Sequence, residues 1–239
     1  IANVADAITY DAVAHDAVAY DTVTDDAIAD DAVADDAVAY DAIADDAVPY
    51  DAVTHDTITD DTVAHDTVAY DTVTNDAGNF ATWLHRFLPF RHRQAQAGPA
   101  AGAMGFSVPG ALGVQLARPG KTVVSLVGDG GFLMTGQELV TAVEQNLPIK
   151  VIVFDNSAYG TIAMHQVRRF GGENQYGVNL KSPDFAAVAR AWGVSAWSVD
   201  KTAQFAPALD AALAHGGPAL IHVKTDLRDL AASGLKLDS

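Results

Sequence analysis

Two short apolar runs constrain the fold of this chain more than any other feature. Residues 122–127 and 150–154 are rich in β-branched residues, and polar or small residues follow each run. Apolar runs of this length predict buried strands. The 25 residues between Gly130 and Asn156 have room for one crossover helix and the return strand. We therefore predict that the two strands are parallel neighbours.

The rest of the chain after residue 77 alternates between helix and strand patterns. Thr135, with Glu138 three residues later, predicts a capping box for a helix that ends near Asn146. We expect Leu139, Val140 and Val143 to lie on one side of that helix. The other predicted elements are a helix at about 100–117, a long polar segment at 156–182, helices at about 183–192 and 203–214, and strands at about 194–199 and 218–224. This alternation predicts an α/β fold with a doubly wound parallel sheet.

Polar oxygens follow both central strands. Such sheets bind ligands at the carboxyl ends of their strands, and Asp129 and Asn156 fall at two of these ends. Glycines beside Asp129 let a diphosphate approach backbone N–H groups closely. A carboxylate, an amide oxygen and a backbone carbonyl are hard ligands that suit Mg²⁺ bound to a diphosphate. The sequence therefore predicts a magnesium–diphosphate site.

A five-residue repeat precedes these elements. Asp recurs at every fifth position from Asp6 to Asp76, usually followed by Ala or Thr and then Val or Ile. With this period, successive aliphatic side chains would not share one face of a helix, and they would not share one face of a strand either. A solenoid with one side per unit would bury an Asp each time. We predict a low-complexity, disordered or extended tract over residues 1–75 and a folded domain over 76–239, with a solenoid as the alternative.

Charge divides the chain in the same way. The net charge is −17, yet residues 1–85 contain no Lys or Arg and hold 20 of the 31 acidic residues. A segment without cations does not suit nucleic-acid binding. The absence of cysteine excludes disulfides and thiolate catalysis. No apolar run reaches membrane-spanning length. The chain opens on Ile1 without Met, which we interpret as the end of a longer cytoplasmic chain.

The motifs resemble the thiamine-diphosphate signature of the acetolactate synthase and 2-oxo-acid decarboxylase superfamily. Gly-Asp-Gly at 128–130 is followed by Asn156 after one helix and strand, although the family usually has Asn-Asn where this chain has Asp155-Asn156. Residues 102–106, Gly-Ala-Met-Gly-Phe, resemble the segment that holds the aminopyrimidine ring. Residues 76–80 resemble the segment that approaches the diphosphate. The resemblance covers residues 76–239 and implies the thiamine-diphosphate-binding fold.

The resemblance also implies roles for individual residues. The Asp129 and Asn156 side chains and the Ala158 carbonyl would bind Mg²⁺. The Gly102 carbonyl would accept from the cofactor's 4′-amino group, and Met104 would support the bent cofactor. The full implied cofactor set is Asn79, Gly102, Met104, Gly128, Asp129, Gly130, Gly131, Asn156, Ala158, Tyr159 and Gly160.

The implied function is the cofactor-binding C-terminal part of an acetolactate synthase-like carboligase or decarboxylase that acts on a 2-oxo acid. In this superfamily a Glu from a pyrimidine-binding domain starts the reaction, and residues 1–76 do not resemble that domain. A missing N-terminal region or a partner chain would supply it, in a homodimer or tetramer. Whether the chain alone is an enzyme stays open. The alternatives are another 2-oxo-acid or acyl-CoA decarboxylase, or a non-catalytic remnant that only binds the cofactor.

Plainer roles exist for several candidate residues. Asn79 could cap a helix instead of contacting the cofactor. Met104 could be an ordinary core residue. His85 and His92 are interpreted as surface residues, whereas His165 could face the substrate.

Overall fold

The structure is a computed structural model, and it describes residues 70–88, 94–171, 175–231 and 235–236. The predicted repeat up to residue 69 lies outside the described residues. His92 also lies outside them.

Within the described residues, six parallel strands form one sheet. Their spatial order is β2-β1-β3-β4-β6-β5. The chain adds β2 on one side of β1 and then builds the other strands on the opposite side, as the doubly wound prediction requires. In chain order the strands are β1 (Thr72–Asn75), β2 (Ala95–Ala97), β3 (Val123–Gly128), β4 (Lys150–Asp155), β5 (Ser195–Val199) and β6 (Ala219–Lys224). A short antiparallel pair, β7 (Asp229–Ala231) and β8 (Leu235–Lys236), follows.

Helices cover both faces of this sheet. They are α1 (Ala81–Phe87), α2 (Ser107–Ala117), α3 (Asp129–Thr135), α4 (Leu139–Glu144), α5 (Gly160–Phe170), α6 (Phe185–Ala191) and α7 (Phe205–Ala214), with 3-10 turns at Gly136–Glu138 and Thr202–Gln204. Among the helices of the described ranges, none is long and apolar enough to cross a membrane.

The core has two halves because strand side chains alternate between the faces. In β3, Val124 and Leu126 pack in one apolar cluster with residues of α1 and α7. Val123 and Val127 pack in a second cluster with residues of α2, α3, α4 and α6. This alternation has the period of two that a strand imposes. Both faces are therefore buried, which explains why the central strands are continuously apolar.

The first strand comes from the last unit of the repeat. Thr72–Asn75 is buried throughout and lies between β2 and β3. The sequence analysis assigned these residues to the repeat because their five-residue pattern matches the units before them. In the structure the sheet begins four residues before the predicted boundary at residue 76.

Two predicted segments differ from the structure. The helix expected at about 100–117 begins only at Ser107. Gly102 and Gly105 adopt φ values of 67° and 78°, which a right-handed helix does not allow, so the preceding residues form a turn. The polar segment at 156–182 contains α5, a helix that the sequence analysis missed and that buries Ala163 and Met164.

The predicted capping box is wrong. The helix after β3 begins directly at Asp129, and Thr135 lies at its end. The Thr135 hydroxyl donates to the Gly105 carbonyl at 3.0 Å, so it holds the turn before α2 instead of capping a helix. In α4, Leu139 is buried, but Val140 is exposed and does not share its side.

Candidate functional site

The carboxyl ends of β1, β3 and β4 meet at a solvent-open cleft of about 650 Å³. Its walls come from residues that follow each strand, which is where parallel sheets place ligands. The lining residues are 76–80, Met104, 128–131, Phe154, Asn156, 158–162, Thr225 and Asp229.

All three residues predicted to bind the metal line this cleft, and two of their oxygens lie close to one backbone N–H. The Ala158 N–H lies 3.2 Å from Asp129 Oδ2 and 3.1 Å from Asn156 Oδ1. Because both oxygens contact one nitrogen, they lie within about 6 Å of each other. The Ala158 carbonyl accepts from Gly160 N at 2.9 Å and keeps a second lone pair. The spacing prediction thus placed two oxygen-bearing side chains at one point.

Asp129 is buried in a position that disfavours its negative charge. Burial raises the pKa of Asp129 to about 6, and the charge of the neighbouring Asp155 adds to the rise. Hydrogen bonds from the N–H groups of Gly130 and Ala158 oppose this effect. A divalent cation next to the carboxylate would reverse the balance, because an opposite charge favours the ionised form.

The glycines after β3 are required by close packing. A Cβ on Gly131 would overlap Asp76 Oδ2. A Cβ on Gly130 would lie 2.5 Å from the Tyr159 ring and 3.1 Å from the Met104 methyl group. The first turn of α3, which contains both glycines, can therefore approach a ligand with its backbone only. Gly128 borders the same cleft next to the Phe80 ring.

The plainer roles considered for Asn79 and Met104 are not those that the structure shows. The N-cap of α1 is Phe80 and has no side-chain cap, so Asn79 does not cap the helix. Its amide donates to Met164 Sδ at 3.5 Å, and its backbone N–H donates to the Thr161 hydroxyl at 3.1 Å. Met104 is 37% exposed and lines the cleft, so it is not a core residue.

Other candidates are placed differently. Gly102 lies in the exposed turn before α2, its N–H donating to Pro99 O, and it does not line the cleft. Tyr159 and Gly160 do line it. His165 is exposed on α5 and away from the cleft lining, and His85 is exposed on α1. Neither histidine supports a role at this site.

Asp76, the last Asp of the repeat, has a structural role that the repeat pattern does not indicate. Its buried carboxylate accepts from Gly105 N at 2.7 Å and from Ser107 N at 2.6 Å. Burial raises the pKa of Asp76, and these backbone hydrogen bonds counteract the rise. Asp76 thereby ties the end of β1 to the segment that carries Met104.

A second missed group surrounds Asp155. Its buried carboxylate accepts from His222 Nε2 at 2.7 Å and from Lys224 Nζ. Burial alone would raise the pKa of Asp155, but the hydrogen bonds from His222 and Lys224 hold it well below its ordinary value. Both partners lie on β6, and Lys224 is in register with Asp155. The only sequence signal was the position of Asp155 at a strand end.

These features define a class of protein: a doubly wound α/β domain with a candidate ligand cleft at the carboxyl ends of its strands. Comparison with known proteins agrees. Residues 76–223 match the family described as "Thiamine pyrophosphate enzyme, C-terminal TPP binding domain". The chain belongs to this family. Its cofactor class is therefore thiamine diphosphate, the same compound as thiamine pyrophosphate.

Similar curated proteins include several acetolactate synthases. The chain is 35% identical over 154 residues to acetolactate synthase isozyme 2 large subunit from Escherichia coli (strain K12), covering 64% of this chain and 28% of that protein. It is 35% identical over 157 residues to the catabolic acetolactate synthase of Raoultella terrigena, covering 65% and 28%. It is 35% identical over 155 residues to a probable acetolactate synthase large subunit from Methanocaldococcus jannaschii, covering 64% and 26%. The chain thus spans about a quarter of the length of these relatives.

Proposed function

We propose that this domain holds thiamine diphosphate through Mg²⁺, with Asp129, Asn156 and the Ala158 carbonyl as the protein's metal ligands. The observation that carries the proposal is the convergence of the Asp129 and Asn156 oxygens on one N–H at the strand ends. Both are hard oxygen donors of the kind that Mg²⁺ prefers. A buried carboxylate with a raised pKa gains most from a nearby cation, which adds support.

The other cleft residues divide between the two ends of the cofactor. Gly128, Gly130, Gly131 and Asn79 would border the diphosphate, and the three glycines place no side chain between it and the backbone. Met104 would lie under the aminopyrimidine, and the Gly102 carbonyl would reach it from the turn before α2. Tyr159 and Gly160 would cover the metal from α5. Asp76 would keep the Met104 segment in place.

For the reaction, we propose an acetolactate synthase-like carboligase or decarboxylase acting on a 2-oxo acid. The relatives' names support this class. Bound thiamine diphosphate would supply the group that adds to the substrate carbonyl and permits loss of CO₂. The residues of this chain would bind, orient and shield the cofactor. The activating Glu would come from a pyrimidine-binding domain, because residues 1–76 contain no Glu. Another part of a longer protein or a partner subunit, in a homodimer or tetramer, would supply that domain.

A second candidate function rests on the same absence of Glu from residues 1–76. The chain would then bind the cofactor without turning over substrate. Pyruvate turnover by the purified chain would exclude this alternative. The cytoplasmic location expected from the sequence stays a prediction.

Calorimetric titration of the full chain with thiamine diphosphate and Mg²⁺ tests the proposal. We expect Mg²⁺-dependent binding by the wild type and none by Asp129→Ala. Asp210→Ala is a matched control, since Asp210 is an exposed carboxylate on α7 away from the cleft, and it should bind like the wild type. Equal binding by Asp129→Ala and the wild type would refute the metal assignment.

A further inference from the structure

A charged cluster centred on the buried Asp155 lies next to the proposed metal-binding loop, and the proposed function leaves it without a role. The cluster consists of Asp155 at the end of β4 and its partners His222 and Lys224 on β6. Asp155 Oδ2 accepts from both partners. Burying a carboxylate costs free energy unless it is paired. The cluster therefore anchors the point where the chain leaves the sheet and enters the metal-binding loop.

The other oxygen of Asp155 holds that loop. Asp155 Oδ1 accepts from Ser157 N at 2.9 Å and from Ser157 Oγ at 3.2 Å. Ser157 has a φ of 57°, in the left-handed region that non-glycine residues seldom occupy. A backbone in this region persists where its surroundings hold it. The Asp155 carboxylate holds the Ser157 N–H and hydroxyl, and Leu180 N, which donates to Ser157 O at 2.8 Å, holds the other side of the residue.

The bend at Ser157 sets the direction of the next N–H group. Ala158 N points to Asp129 Oδ2 and Asn156 Oδ1, the two oxygens proposed to bind the metal. A chain of contacts thus runs from β6 through Asp155 and Ser157 to Ala158. Each of these contacts is either a hydrogen bond of ordinary length or a direct ion pair.

We propose that His222 and Lys224 are positioning residues for the metal site: they hold Asp155, which fixes the Ser157 bend and, through Ala158, the two oxygen ligands. The part that concerns metal rests on the proposed function. Mg²⁺ requires near-ideal octahedral geometry, whereas Ca²⁺ accepts irregular shells. A site held this firmly should favour Mg²⁺, and a loosened one should lose that preference.

Lys224 separates positioning from core packing. His222 packs edge-on against Phe185, with ring centroids 5.1 Å apart, so changing it also disturbs the core. The Lys224 side chain is 49% exposed, and its removal opens no cavity. Electrostatics and positioning then predict opposite results. Removing a positive charge near a cation site should strengthen Mg²⁺ binding by Coulomb's law, whereas loss of positioning should weaken it.

The test compares three variants of the full chain. Lys224→Met removes the anchor, and Lys224→Arg keeps a cation that can pair with a carboxylate. Lys121→Met is the matched control, because Lys121 is 48% exposed and pairs with Asp71 at 3.3 Å, away from the cleft. The first readout is amide hydrogen exchange of Ser157 and Ala158 by NMR without cofactor. The second is the Kd for Mg²⁺, and separately for Ca²⁺, in the presence of thiamine diphosphate.

We expect Lys224→Met to speed exchange at both amides and to weaken Mg²⁺ binding roughly tenfold, at the low end of the range for groups behind a metal's ligands. Its Ca²⁺ affinity should change less, so the preference for Mg²⁺ falls. Lys224→Arg and Lys121→Met should match the wild type in both readouts. A role in stability alone would lower the melting temperature without changing the Mg²⁺ to Ca²⁺ ratio.

Unchanged exchange at Ser157 and Ala158 in Lys224→Met would overturn the positioning role, whether or not metal binds. Tighter Mg²⁺ binding by that variant would also overturn it, because charge would then outweigh geometry. If the wild type bound no Mg²⁺ with the cofactor, the proposed function and the metal part of this inference would fall together. The exchange data would still decide whether the cluster fixes Ala158.

Discussion

Replacing Asp76 by Ala should destabilise the domain far more than the same change at Asp71, although both are Asp residues of the same repeat. Asp76 is 1% exposed, and its carboxylate accepts from the N–H groups of Gly105 and Ser107 at 2.7 and 2.6 Å. The Asp71 side chain is 32% exposed, accepts from Thr122 N at 2.7 Å and pairs with Lys121. Burial thus distinguishes two positions that the sequence pattern treats alike.

The magnitude follows from the hydrogen bonds that are lost. A buried donor left without a partner costs roughly 1–3 kcal/mol, so two such donors cost roughly 2–6 kcal/mol. Removing a buried carboxylate recovers part of this, because burial disfavours the charge of Asp76. We expect a net loss of about 3 kcal/mol in the free energy of unfolding. For Asp71→Ala, water can replace the lost partners, and we expect about 1 kcal/mol or less.

Urea unfolding of the full chain, followed by the fluorescence of its Trp residues, would measure both values. A difference of about 2 kcal/mol should also lower the melting temperature of Asp76→Ala by roughly 4–8 °C relative to Asp71→Ala. If the two variants unfolded within about 0.5 kcal/mol of each other, Asp76 would not hold the 105–107 backbone in solution, and the reasoning from its burial would be refuted.

Two further predictions concern the cleft. Gly131→Ala should lower the free energy of unfolding by roughly 1–3 kcal/mol, because the added methyl group overlaps Asp76 Oδ2. Thermal melting would measure the loss. Gly113→Ala is the control, because a Cβ there meets nothing within 4 Å. Protons should compete with Mg²⁺ at Asp129, whose pKa is raised to about 6. A raised carboxyl pKa means that between about pH 4 and pH 6 the folded chain binds this proton more than the unfolded chain does. The free energy of unfolding of the cofactor-free chain should therefore fall as pH rises through that range. Mg²⁺ affinity should fall about tenfold from pH 7 to pH 5, and calorimetry that shows equal affinity at these two pH values would contradict this.

The strands and most helices of residues 122–224 could be predicted because local pattern decides them. A short run rich in β-branched residues, such as 150–154, favours a strand buried on both faces, and the structure has β4 there. The same logic placed Asp129 and Asn156 at strand ends, where parallel pairing brings them together. Chain order and spacing were sufficient for that part of the site.

Local sequence pattern predicted the wrong structure where the same composition suits more than one kind of structure. The Ala- and Gly-rich segment 100–106 suits a helix by content, but positive φ values at Gly102 and Gly105 turn it into a loop that Asp76 binds. The last repeat unit matches the earlier ones in sequence. Its Thr72–Asn75 strand is distinguished by pairing with β2 and β3, which lie 20 or more residues away.

The amino-acid sequence alone determined the class of fold, the cofactor signature and the strand-end positions of Asp129 and Asn156, because each depends on short-range patterning and strand order. Only the tertiary structure decided which residues contact the loop between them and β6. Asp155 meets His222 across 67 residues of chain and Lys224 across 69. The register between β4 and β6 creates these contacts, and register depends on how the whole sheet packs.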